Sequence, residues 1–120
     1  MALRVLIVDD HPSFRASARL LLEAEGYDVV GESEDGMTGL MDARRLRPDI
    51  VLLDVQLPDI DGFDVAARLT GDENAPHVVL TSSRELSDYG PLVSRSGARG
   101  FVPKSELSGE AIEALVPTVS

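Results

Sequence analysis

Four of the five short apolar runs in this chain lead to a residue able to do chemistry. Val5-Leu6-Ile7-Val8 is closed by Asp9 and Asp10, and Ile50-Val51-Leu52-Leu53 by Asp54. Thr81 closes Val78-Val79-Leu80, and Lys104 stands just past Ala98 to Val102; only the weaker run Tyr27 to Val30 lacks such a terminus. Carboxylates about 4 Å apart repel by about 4 kcal/mol per pair at an effective dielectric near 20. If the fold brings the three aspartates together, they want a cation. All-oxygen ligands select magnesium, calcium or manganese, and a half-open site that keeps waters suits Mg²⁺ beside a phosphate-bearing partner. A twelve-residue calcium loop is excluded, because Asp54, Asp59, Asp61 and Asp64 lack its order and its terminal Glu. Taken one at a time, Asp59, Asp61 and Asp64 read as solvated cap or turn residues.

The elements that must position these groups alternate. The apolar runs do not alternate polar and apolar residues, which marks strands covered on both faces, as in a parallel sheet. Between them lie helical patterns. Phe14, Ala18, Leu21 and Leu22 share one face of a helix with Pro12 in its first turn and Gly26 as its stop. A second helix is predicted from about Gly36 to Arg47, before Pro48, a third from Gly62 to Thr70, and a last from Glu106 to Val116 behind a Ser105 or Ser108 cap. The stretch from Ser82 to Gly97 carries Gly90-Pro91 in its middle, so a loop to Gly90 and a short helix opening at Pro91 are predicted. Strand and helix alternating five times give a doubly wound α/β domain with a five-stranded parallel sheet. In such sheets ligands sit at the carboxyl ends of the strands, near the point where strand order reverses. With order 2-1-3-4-5, the strands ending in Asp9-Asp10 and Asp54 are neighbours there.

Composition narrows the function. The 120 residues hold 11 Lys plus Arg against 21 Asp plus Glu, a net charge of −10. Coulomb repulsion at that charge opposes unaided binding to nucleic acid or an anionic membrane. The chain contains no cysteine, which excludes disulfides, thiolate metal sites and thiol nucleophiles. No apolar run approaches the roughly 18 residues of a membrane span, and a cytoplasmic location is expected. Lys104 is the sole lysine among the 11 basic residues. A compact ammonium on a flexible stem suits an oxygen that moves during a reaction, whereas arginine prefers a fixed bidentate fork.

Leu6-Ile7-Val8-Asp9-Asp10-His11, Val51 to Pro58, Asp61-Gly62, Leu80-Thr81-Ser82 and Gly100-Phe101-Val102-Pro103-Lys104 together resemble the receiver domain of two-component response regulators. The resemblance spans nearly the whole chain, residues 1–116, with 117–120 as a frayed tail or the start of a linker. It implies the flavodoxin-like 2-1-3-4-5 sheet, for which a chemotaxis member of the same family is the standard illustration. It also implies that Asp54 accepts a phosphoryl group from a sensor histidine kinase. Asp10, Asp54 and the backbone carbonyl of Gln56 would hold Mg²⁺, with Asp9 acting through water. Thr81 and Lys104 would contact the phosphoryl group, Phe101 would be the switch aromatic, and Gln56 and Ser83 would set how long the phosphoryl survives. The protein would be a phosphoacceptor rather than a turnover enzyme, and its partners a kinase and a second copy of itself in a phosphorylation-dependent dimer. Aspartate is an accepted phosphoryl nucleophile in its own right, and phosphoryl transfer depends mainly on positioning and charge neutralisation.

The chain departs from the family pattern in two places. Ser105 follows the lysine where many receivers have proline, and Gly90-Pro91 interrupts the fourth helix, part of the surface through which receivers signal. The motifs are similar to receivers that precede helix-turn-helix output domains, but the chain is too short to contain one. It is expected to be a stand-alone regulator or a piece of a longer protein. Two other classes fit less well. A haloacid dehalogenase-type phosphatase would want an acid two residues after Asp54, where Gln56 stands, and a nucleotide-binding module would want a glycine-rich phosphate loop, which is absent. His11 and His77 lack a partner acid at motif spacing, so a helix-opening role and a loop role are expected for them, and neither is expected to be a nucleophile or a zinc ligand.

Overall fold

The computed structural model describes residues 2–84 and 89–116. The expected tail at 117–120 and part of the loop before Gly90 lie outside the described residues. Five strands, β1 (Arg4–Val8), β2 (Asp28–Ser33), β3 (Ile50–Asp54), β4 (His77–Ser82) and β5 (Gly100–Pro103), alternate with five helices. These are α1 (Pro12–Ala24), α2 (Gly36–Leu46), α3 (Gly62–Thr70), α4 (Leu92–Arg95) and α5 (Gly109–Leu115). All strand pairings are parallel, in the order β2-β1-β3-β4-β5. That is the predicted fold.

Although the strands carry continuous apolar runs, the side chains of these runs still alternate between two cores, because successive residues point to opposite faces. Leu6, Val8, Val51, Leu53, Val78 and Leu80 pack with Leu40 and Ala43 of α2 and Val65, Ala66 and Leu69 of α3. Val5, Ile7, Ile50, Leu52 and Val79 pack with Ala18 and Leu22 of α1 and Ile112 of α5. Covering both faces removes every side chain of β3 from water. The strands end flush: Val8 pairs with Leu53, and Asp54 with Thr81, so the groups that follow them emerge at one edge.

Helix boundaries follow their caps. Asp61 accepts the Phe63 amide and opens α3, whereas α2 is capped twice, by Asp35 on the Thr38 amide and by Asp59 on the amides of Gly36 and Met37. Both Asp59 and Asp61 are thus the capping residues predicted. The last helix starts later than expected, at Gly109 rather than Glu106. Ser108, not Ser105, accepts from the Ala111 amide, and Lys104–Glu106 form a 3-10 turn instead. His77 is not in a loop but opens β4, its amide bonded to the Asp49 carbonyl. β2 begins at Asp28 and extends to Ser33, beyond the apolar run, because its polar end still pairs with β1.

The carboxyl end of β3 is held by a close approach at Gly62, whose amide donates to the Val55 carbonyl at 2.8 Å. A Cβ on Gly62 would lie 2.7 Å from the Val55 Cα, against backbone that has no rotamer with which to yield. Gly62→Ala is therefore expected to destabilise the domain by about 3 kcal/mol. Gly71→Ala, where a Cβ would meet nothing closer than 3.4 Å, should be neutral or stabilising by about 0.5 kcal/mol. Urea unfolding of both variants checks the contrast; equal midpoints would show that α3 is free to move away.

Candidate phosphoacceptor site

At the carboxyl edge of the sheet the predicted acids meet. Asp9 is completely buried and Asp54 is 2% exposed, while Asp10 lies half-buried beside them. Backbone amides hold the first two. The His11 amide donates to Asp9 Oδ1 at 2.8 Å, and the Gln56 amide donates to Asp54 Oδ1 at 3.2 Å. Lys104 reaches in from the turn after β5. Its Nζ is 2.7 Å from Asp9 Oδ2 and 3.5 Å from Asp54 Oδ2. The sole lysine thus bridges the two most buried acids.

Charge balance remains incomplete. Burial and the neighbouring Asp9 charge push the Asp54 carboxyl up to about 6, against the opposing pull of Lys104 and the Gln56 amide. Asp9 Oδ2 faces the lysine as an ion pair, yet neither it nor Asp10 Oδ1 has a properly directed hydrogen bond among the described residues. Buried carboxylate oxygens with unused lone pairs are what a hard cation takes as ligands. The donor set therefore fits a divalent ion: Asp9, Asp10, His11 and Asp54 each offer one ligand atom, all within 4.8 Å of one another. Gln56 is exposed beside Asp54 and its side chain is free to face an incoming group; Ser83 is likewise exposed at the other flank.

Thr81 and Phe101 are placed differently from the acids. The Thr81 hydroxyl is fully buried and donates to the Val102 carbonyl at 2.7 Å, so here it is occupied in the sheet. Phe101 is partly buried, its ring 5.5 Å from that of Tyr89, which in turn meets Phe63 edge-on at 5.4 Å. The Tyr89 hydroxyl is 2.7 Å from Ser82 Oγ.

Several residues at the site carry no motif and were missed from sequence. His11 does have acid partners, contrary to its predicted role as a mere helix opener: Nδ1 is 3.1 Å from Asp9 Oδ1 and 3.1 Å from Asp10 Oδ1. Phe14, read only as a core residue, places its ring centroid 4.5 Å from the Lys104 ammonium. Arg15 donates to the Asp9 carbonyl at 2.6 Å and pairs with Glu32, so it braces the acidic loop from behind. No spacing rule predicts these contacts; they arise where α1 turns back over the ends of β1 and β2. A cleft of about 330 Å³ lined by Arg44, Arg47 and Asp72 lies near Pro48 and Pro76, at the opposite end of the sheet from the acids.

The sheet order agrees with comparisons to known proteins. The model of the response regulator receiver domain family matches residues 5–116. The chain belongs to this family. BvgA of Bordetella pertussis is 40% identical over 111 residues, covering 92% of this chain and 53% of that protein. The DNA-binding response regulator MtrA of Mycolicibacterium smegmatis is 42% identical over 106 residues, covering 87% and 45%. The chain thus spans about half the length of the curated relatives it matches. A crystal structure of a LuxR-family two-component response regulator from Aurantimonas sp. SI85-9A1 superposes with a TM-score of 0.86 at 30% identity, covering 97% of this chain and 84% of that one. Receiver domains serve two-component signalling by phosphorylation, and no helix among the described residues of this one is long and apolar enough to cross a membrane.

The raised Asp54 carboxyl makes a prediction about stability. Moving it from 3.8 to about 6 means that its ionisation costs roughly 3 kcal/mol in the fold. Because the folded value lies above the unfolded one, the folded state holds more protons between about 4 and 6, and stability falls as pH rises through that window. In metal-free buffer Asp54→Asn should therefore raise the melting temperature by several degrees at pH 7.5, and the gain should fade by pH 4. Thermal unfolding at the two pH values checks it; a loss at pH 7.5 would show that Lys104 fully repays the burial.

Proposed function

We propose that residues 1–116 act as a signalling receiver in which Asp54 takes a phosphoryl group from the phosphohistidine of a sensor histidine kinase in the cytoplasm. One observation supports this above all: Asp54 is a buried strand-end carboxylate flanked by a lysine on one side and by two further acids with unused oxygens on the other. An Asp54 oxygen attacks phosphorus as the bond from phosphorus to the donor imidazole nitrogen breaks, and that nitrogen keeps the electron pair and takes up a proton. The acyl phosphate is the product. Lys104, already 3.5 Å from Asp54 Oδ2, follows the incoming oxygens on its flexible stem. Asp9, Asp10, Asp54 and the Gln56 carbonyl would hold Mg²⁺, which supplies charge neutralisation of the donor oxygens when bound. With Gln56 two residues beyond the nucleophile in place of a general acid, the domain stores the phosphoryl group rather than turning over substrate. Gln56 and Ser83 flank the path of the water that later removes it, and so influence its lifetime.

The signal then needs a conformation that the phosphoryl group prefers. The Thr81 hydroxyl leaves the Val102 carbonyl for a phosphoryl oxygen, Phe101 repacks against Tyr89, and the surface of β4, α4 and β5 changes. That surface would pair two copies of the chain and pass the signal to a transcriptional output, the role named for its DNA-binding relatives.

Intact-mass measurement after treatment with acetyl phosphate and Mg²⁺ tests the acceptor. The wild type should gain one phosphoryl mass and Asp54→Asn none; an unchanged adduct on folded Asp54→Asn would reject the assignment. A ligand that binds only the folded state at about 100 times its Kd adds about 2.7 kcal/mol of stability. Millimolar Mg²⁺ should accordingly raise the melting temperature of the wild type and leave that of Asp10→Ala unmoved, whereas equal shifts would mean general screening. Thr81→Ala should still be phosphorylated, yet hydrogen exchange in residues 89–104 should no longer respond to fluoroberyllate. An identical response in both proteins would remove the hydroxyl from the pathway.

A further inference from the structure

The ring of His11 does not do what its position suggests. It stands at the N-cap of α1, before Pro12, but its side chain makes no capping hydrogen bond. Instead Nδ1 faces the acids, 3.1 Å from both Asp9 Oδ1 and Asp10 Oδ1, and 3.4 Å from Lys104 Nζ. Ligand atoms about 3 Å apart have the edge spacing of an octahedral ion with bonds of about 2.1 Å. The extended backbone of His11 and the bond from its amide to Asp9 Oδ1 tie ring and acid to one short loop. The ring is 62% exposed, so it can turn toward an arriving ion without disturbing the core. Nδ1 is within hydrogen-bond distance of Asp9 Oδ1, while of the two buried acid oxygens with no directed hydrogen bond Asp9 Oδ2 is ion-paired with Lys104 at 2.7 Å and Asp10 Oδ1 has no such pairing with the lysine. Three carboxylates against one ammonium leave two negative charges, which a divalent ion neutralises while a neutral imidazole adds none.

We propose that His11 supplies an imidazole nitrogen to this site, so that it takes a divalent first-row transition ion of the iron, cobalt, nickel or zinc class in addition to magnesium. The proposal rests on the reading of the acid cluster as a cation site. Imidazole is a preferred ligand of these ions, whereas magnesium takes oxygen almost exclusively. His11 therefore sets which cation the receiver holds at low concentration, and Lys104 moves toward Asp54 when the ion arrives.

Cobalt(II) is a suitable probe, because it is paramagnetic and accepts nitrogen and oxygen in six-coordination. In the wild type, proton NMR should show a strongly displaced imidazole N–H signal on Co²⁺ addition, retained in His77→Gln and lost in His11→Ala. His77, at the amino end of β4, provides the internal control. Titration followed by thermal stability should show the Co²⁺ Kd rising about tenfold in His11→Ala while the Mg²⁺ Kd changes less than twofold. If Co²⁺ and Mg²⁺ bind but no displaced imidazole signal appears, or if both affinities fall together, His11 is not a ligand and the cation site stands without it. If neither ion binds the wild type, the cation reading itself fails, and this proposal with it.

Discussion

The repulsion among Asp9, Asp10 and Asp54 is the constraint on which the rest of the site depends. Each acid alone would be an ordinary cap at a strand end. Two of them are buried side by side, and removing carboxylates from water while placing them together costs more than one lysine repays. Asp54 shows the imbalance directly, since its carboxyl is pushed up to about 6 despite Lys104. The fold tolerates this because both faces of the sheet supply apolar burial that holds β1 and β3 adjacent whatever their ends carry. The strand cores thus sustain a charge arrangement that would otherwise fly apart, and the unneutralised negative charge attracts a cation.

Much of this was legible in the sequence because it was written in types and ends. Apolar runs without alternation announced a parallel sheet, and the residues at the ends of four of them pointed to the candidate site. The acids, Thr81 and Lys104 could be found by reading along the chain, since strand ends in such a sheet share one edge. Contacts made by side chains reaching across elements were not legible. Phe14 lies at a helical spacing that also suits the core, and only the path of α1 over β1 shows that its ring meets the lysine. Tyr89 sits beside Gly90-Pro91, where local chemistry signals a break. Its link between Ser82, Phe63 and Phe101 is a property of packing. The late start of α5 has a local cause: Ser105 and Ser108 were equivalent caps on paper, and the 3-10 turn that aims Lys104 inward consumes the first.

The two flanks of the site are braced unequally. On the side of β1, Arg15 bonds the Asp9 carbonyl and pairs with Glu32, while Arg19 pairs with the same Glu32 and donates to the Val29 carbonyl. Next to it, Asp59 accepts two amides from the first turn of α2, tying the loop after β3 to a neighbouring helix. These bonds cross between elements, so the acids and the backbone of Gln56 are held in place before any ligand arrives, which is the preorganisation that charge stabilisation requires.

On the side of β4 the restraints among the described residues are fewer. α4 has only four residues, none of them fully buried, and Leu92 is 45% exposed. Val93 packs it on the core, and just before it the Ser82 to Tyr89 bond and the tilted pair of Tyr89 and Phe101 tie the chain to the sheet. A new charge at Asp54 pulls on every neighbour, but displacement follows the softer direction. Moving the β1 side breaks charged bonds between elements, whereas moving the β4 side exchanges one hydroxyl bond, Thr81 to Val102, for another and slides one aromatic ring past a second. In the proposed switch this asymmetry in bracing would give the response a direction before any partner is present, toward β4, α4 and β5 and away from the acidic loop.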